Sequence, residues 1–138
     1  KNLDARKERI LLLEDQGKYG TRTGAVLSWN TFMKELRPLV EKDNKVREMY
    51  YDAYYHWVHC IFKFAVKENK PKFIQEAVKQ IITLEQRQPN MGVEGMKEKY
   101  LELLKKEPIL KEEYVKAGGR LLSPPAGENK EPTKEPDK

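Results

Sequence analysis

The sequence predicts an all-α fold of paired antiparallel helices, and three observations carry that prediction. Six stretches space their apolar residues at about 3.6 positions. Glycine, proline or a polar turn separates each stretch from the next. The second and fourth stretches also match each other at an offset of 52 residues.

The first predicted helix, about Leu3 to Gln16, carries Ile10, Leu11, Leu12 and Leu13 and stops at Gly17. After the loop Gly17 to Gly24, a second helix runs from about Ala25 to Val40 with Trp29, Phe32, Met33 and Leu36 as its apolar set. Pro38 should kink or end it near Arg37, because proline has no amide hydrogen and its ring clashes with the preceding turn. A polar turn, Glu41 to Lys45, follows.

The third helix, about Val46 to Asn69, reads as apolar on two sides. Val46, Tyr50, Ala53, Trp57, Ile61 and Phe64 share one face, while Tyr51, Tyr55 and Phe62 fall nearly opposite. Such a helix needs neighbours or a ligand on both flanks. Pro71 suits the first turn of a fourth helix that carries Phe73, Ile74, Ala77, Val78, Ile81, Ile82 and Leu84 and closes at Pro89. A fifth helix, about Met96 to Lys106, offers Met96, Tyr100, Leu103 and Leu104, and Pro108 separates it from a short sixth ending at Gly118 and Gly119. From Ser123 to Lys138 no large apolar residue occurs, so a disordered tail or linker is expected there.

Composition sets the limits on function. Cys60 is the single cysteine, which excludes a disulfide framework. No apolar run approaches the roughly 20 residues of a membrane-spanning helix, so a soluble protein is expected. The chain opens on Lys1 without a signal-like stretch and reads as a processed product or an excised fragment. The net charge of +5 comes from 27 Lys plus Arg against 22 Asp plus Glu, and the two signs interleave, as from Glu94 to Lys116. Nucleic-acid binding, which calls for cations clustered on one face, is the alternative kept for that excess.

In the internal match, Ala25-Val26, Trp29, Thr31 and Phe32 correspond to Ala77-Val78, Ile81, Thr83 and Leu84, and prolines follow at Pro38 and Pro89. Here the chain resembles the tetratricopeptide-repeat family, whose units end in a helix with a small residue, then bulky residues one and two turns on, then a proline. Ala77, Ile81, Leu84 and Pro89 reproduce that spacing; Ala25, Trp29, Phe32 and Pro38 do so with the proline one place late. Ala5, Ile10, Leu13, Gly17 and Tyr19 fit the first helix of one unit, and Ala53, Tyr54, Trp57, Val58 and Ile61 that of the other. The long Gly17 to Gly24 loop and long third helix make both units exceed the family's usual length of about 34 residues.

The resemblance implies a domain over 1–122, with units at about 3–38 and 46–89 stacked as a short right-handed superhelix and a cap at about 93–119. It also implies a non-catalytic interaction or scaffold role, in which first helices line a concave face that holds a peptide or subunit. Carried over by position, that face comprises Asp52, Tyr55, His59, Phe62 and Lys63, together with Asp4, Lys7, Leu11, Glu14 and Asp15. Periodicity puts Tyr55, His59 and Phe62 on the side of the third helix away from Trp57, while core packing is the competing account of Tyr55 and Phe62. A homo-oligomer or a subunit of a larger assembly suits the same surface.

Two further readings concern chemistry. His56, His59 and Cys60, with Asp52 one turn before, have the helical spacing of metal ligands, so a small metal or ligand carrier at His56 and His59 is an alternative. A buried cysteine flanked by two histidines is the simpler account, and no cofactor is expected. The chain has no phosphate-binding glycine loop, no Gly-x-Ser-x-Gly elbow and no His-Glu-x-x-His, so no enzymatic activity is expected.

Overall fold

A computed structural model describes residues 2–123, and among them the fold is entirely helical. The elements are α1 (Leu3–Asp15), α2 (Ala25–Leu36), α3 (Asn44–Lys67), α4 (Pro71–Arg87), α5 (Met96–Lys106) and α6 (Pro108–Lys116). A short 3-10 turn, Arg37–Leu39, follows α2, and an irregular turn, Pro89–Gly92, follows α4. The expected tail lies outside the described residues apart from Ser123. No helix among the described residues is long and apolar enough to cross a membrane.

Local chemistry sets the boundaries. Asn2 caps α1 by accepting the Ala5 amide at 2.9 Å. The helix ends in a Schellman turn, where Gly17 takes φ +72° and the amides of Gly17 and Lys18 return to the carbonyls of Glu14 and Leu13. At Gly24 an added Cβ would lie 2.2 Å from the Gly20 nitrogen, so only glycine lets the loop close on itself. The amides of Ala25 and Val26 then donate to the carbonyls of Lys18 and Tyr19, which start α2 without a side-chain cap.

The second and third helices differ from the sequence reading at their boundaries. The second helix stops at Leu36 rather than Val40, and Pro38 sits in the 3-10 turn that its missing amide permits. The third starts at Asn44, because Asp43 accepts the amides of Lys45 and Val46, and it ends at Lys67. Asn69 leaves the helix with φ +55° and forms a second Schellman turn, with Lys70 donating to the Ala65 carbonyl at 2.8 Å.

Helix α3 runs through the middle of the molecule, with α2 on one flank and α4 on the other. Neighbours on both flanks account for its apolar residues on both sides: Val46, Ala53 and Ile61 are buried, and so are Tyr51 and Phe62 opposite them. Trp57 and Phe64, expected in the core, are only partly buried, while Val58, Cys60 and Ala65 are enclosed in their place. The last two helices extend the order, α5 against α3 and α6 against α4. Ala25 and Ala77, the paired small residues of the internal match, are both fully enclosed at 0 % exposure.

Candidate functional site

The residues nominated on the first and third helices converge through their side chains. Lys7, Leu11 and Glu14 lie three and four positions apart on α1, which puts them on one face. Lys7 Nζ reaches Asp52 Oδ2 of α3 at 2.9 Å. Two turns further along α1 and one turn further along α3, Glu14 Oε2 lies 3.0 Å from His56 Nδ1. Helix α5 adds Lys99, whose Nζ lies 3.1 Å from Asp52 Oδ1 and 5.3 Å from the centre of the Tyr55 ring. Lys63 faces Glu107 beyond α5 at 3.6 Å. One surface therefore joins α1, α3 and α5.

The aromatic part is half-buried. Tyr55 packs edge-on against Tyr100 at 5.2 Å and has His59 beside it at 6.1 Å. Burial, helped by the Lys63 charge, holds the His59 imidazole below its ordinary range, which keeps the ring neutral near pH 7. Leu11 is partly buried against the core. Phe62 does not belong to this surface: at 2 % exposure it packs in the core, because α3 is enclosed on that flank as well. Asp4 and Asp15 are exposed.

Beneath the surface lies a polar cluster centred on Glu14. Trp29 of α2 is fully buried and donates its indole N–H to Glu14 Oε2 at 2.6 Å. Its ring also stacks on His56, with centres 5.0 Å apart and planes 19° apart. Cys60 completes the cluster; burial, and after it the Glu14 charge, push its thiol far above the ordinary value, so it stays protonated. His56 Nε2 lies 3.8 Å from Asp52 Oδ1. Both His56 nitrogens thus face carboxylates, and no group of three or more His, Cys, Asp or Glu among the described residues could hold a metal ion.

No protein-family model, curated protein or solved structure matches the chain. Its surface is accordingly read from geometry and charge. Lys99, Tyr100, Glu107 and Trp29 were not among the residues nominated from sequence. Lys99 and Glu107 carry no local signal, since each pairs with α3 across 44 or more positions.

The electrostatics give this cluster a pH dependence. Burial alone would raise the Glu14 carboxyl, but the His56 hydrogen bond and charge and the Trp29 N–H outweigh it and hold the carboxyl below 4.5. Burial likewise opposes the net lowering of Asp52, where the Lys7 hydrogen bond, the His56 charge and Lys99 prevail. The folded chain therefore binds fewer protons at these sites than the unfolded chain. Their stabilisation is complete above the unfolded values of about 4 and is lost as pH falls through the lowered folded values. Thermal melts taken from about pH 6 down to about pH 3 should show Tm falling along this limb, and Glu14→Gln should make the fall shallower. An acid limb of unchanged slope in the variant would remove Glu14 from the account.

Proposed function

We propose that this chain is a non-catalytic interaction module, built as a short helical repeat of the tetratricopeptide type, that holds a peptide or helix of a protein partner. The α1–α2 and α3–α4 hairpins are its units, and α5–α6 is the cap. Support comes from the enclosed Ala25 and Ala77, each followed by buried bulky residues, Trp29 and Phe32 in one unit and Ile81 and Leu84 in the other. The protonated Cys60 thiol and the mutual pairing of Glu14 with His56 favour a role without catalysis.

The observation that carries the reading is the face shared by α1, α3 and α5, where Lys7, Asp52 and Lys99 form a charged line beside part-exposed Tyr55 and His59. Rings supply contact area at small entropic cost, and fixed charges set the register of an incoming chain. Internal pairing holds these groups in place before a partner arrives, which lowers the cost of ordering them on binding.

Peptides selected from a displayed random library on the full chain test it. Leu11→Ala and His59→Ala should each weaken the selected peptides about tenfold while circular dichroism shows a folded protein. Peptides indifferent to both substitutions, or no saturable binder at all, would remove this face as the site.

A further inference from the structure

Where α1 and α3 end, two turns lie side by side and gather positive charge. The loop between α1 and α2 presents Arg22 at its tip, and the turn between α3 and α4 presents Lys70 and Lys72. These three cations share a groove of about 430 Å³ with Phe64 and Phe73. An adjoining hollow of about 240 Å³ adds Lys18, Lys67 and one carboxylate, Glu68, and shares Gly20, Thr23 and Phe64 with the groove. All five cations are exposed.

Lys67 donates to the Gly17 carbonyl at 2.8 Å and ties the two turns together. Among the described residues, no carboxylate forms an ion pair with Lys18, Arg22, Lys70 or Lys72, although carboxylates answer Lys7, Lys63, Lys99 and Lys116 elsewhere. Helix electrostatics explain Lys67, which lies in the last turn of α3, but not Lys70, which is the N-cap residue of α4. They do not explain Lys72, which lies in the first turn of α4 and opposes its dipole, in a turn without an acidic residue. Arg22 belongs to no helix.

We propose that this basic groove is a second docking site, separate from the α1, α3 and α5 face, and that it receives an acidic peptide segment of a protein partner. Carboxylates of the segment meet Arg22, Lys70 and Lys72, and an apolar side chain between them settles against Phe64 and Phe73. Volume suits the assignment, since ligand clefts run from about 300 to 1,000 Å³. The ring geometry favours a peptide over single-stranded nucleic acid. Phe64 and Phe73 are partly buried and packed edge to face at 5.3 Å and 83°, and Lys72 lies 5.8 Å from the centre of the Phe73 ring. Two rings so arranged offer no platform of open faces for successive bases to stack on.

The test is fluorescence anisotropy with the full chain and a short labelled peptide in which Asp and Glu flank a central Phe. Saturable binding that weakens with added salt is expected. The same peptide with Asn and Gln in place of its acids should bind at least about tenfold more weakly. Joint substitution Arg22→Gln, Lys70→Gln and Lys72→Gln should weaken the acidic peptide about thirtyfold without moving the melting transition, because the three side chains are exposed. The matched triple Lys105→Gln, Lys106→Gln and Lys111→Gln, on the exposed sides of α5 and α6, should change binding less than about twofold. Equal losses in the two triples would mean bulk charge and overturn the site. So would an absence of saturable binding, or tighter binding of oligothymidine than of the acidic peptide at physiological salt.

Discussion

Trp29→Ala is expected to destabilise the chain by about 3–5 kcal/mol, a large share of the about 5–15 kcal/mol that holds most domains together. Three contacts are lost at once. The indole is fully enclosed, meets Phe32 edge-on at 6.0 Å and stacks on His56. Its N–H is also one of the donors that keep the part-buried Glu14 carboxylate satisfied. Trp29→Phe separates the terms, since it keeps a ring in the cavity and removes the donor; a loss of about 1–2 kcal/mol is expected. Urea unfolding of the two variants measures both. An alanine variant within about 1 kcal/mol of the parent would show that the site collapses to fill its own cavity and that the indole does not anchor the first two helices.

Gly92→Ala should cost about 3 kcal/mol or more for a different reason, because here the backbone and a neighbouring ring exclude the same atom. Gly92 takes φ +111°, and a Cβ there would lie 2.4 Å from two atoms of the Tyr51 ring. That ring cannot easily yield. It is 5 % exposed, Arg47 lies over it at 5.3 Å, and the Arg47 guanidinium also donates to the Gly92 carbonyl at 3.1 Å. Gly95→Ala is the internal control, with φ +89° but nothing within 4 Å of the added carbon. It should carry the backbone penalty alone, about 1–2 kcal/mol. Denaturant midpoints that coincide for the two variants would show that Tyr51 moves aside.

Helix number, order and most boundaries were legible in the sequence because they depend on nearby residues. Pro71 and Pro108 stand at the first positions of α4 and α6, and Gly17 ends α1 by the turn that glycine favours. The depth of each side chain was less legible. A period of 3.6 sorts residues by angle but does not say how many neighbours a helix has, so Trp57 was expected in the core and Phe62 was left open between a partner-binding face and the core. The structure encloses Phe62 and leaves Trp57 partly buried against the core, because α3 is flanked on both sides. The loop Pro89–Gly92 holds a similar surprise, since Asn90 and Met91 adopt left-handed φ values of 57° and 61° although neither is glycine.

For the candidate surface, the resemblance nominated Lys7, Glu14, Asp52 and Tyr55 together, and in the structure Lys7 pairs with Asp52 while Glu14 pairs with His56. It did not include Lys99 or Trp29, which reach that side from other helices. The basic groove was illegible for a related reason. Arg22 and Lys70 are 48 positions apart and share a surface only because α1 and α3 end together.

The order of packing bears on how the chain reaches its native state. Each helix rests chiefly on those next or next but one to it in the chain, so the loops that must close on the way are short. Closing short loops costs little entropy, and proteins dominated by such local contacts cross their barrier in microseconds to milliseconds. Native α3 touches α2, α4 and α5, so its formation presents a template to both flanks. A nucleus of α3 with α2 or α4 would let the outer helices add in turn, without long searches between distant parts of the chain.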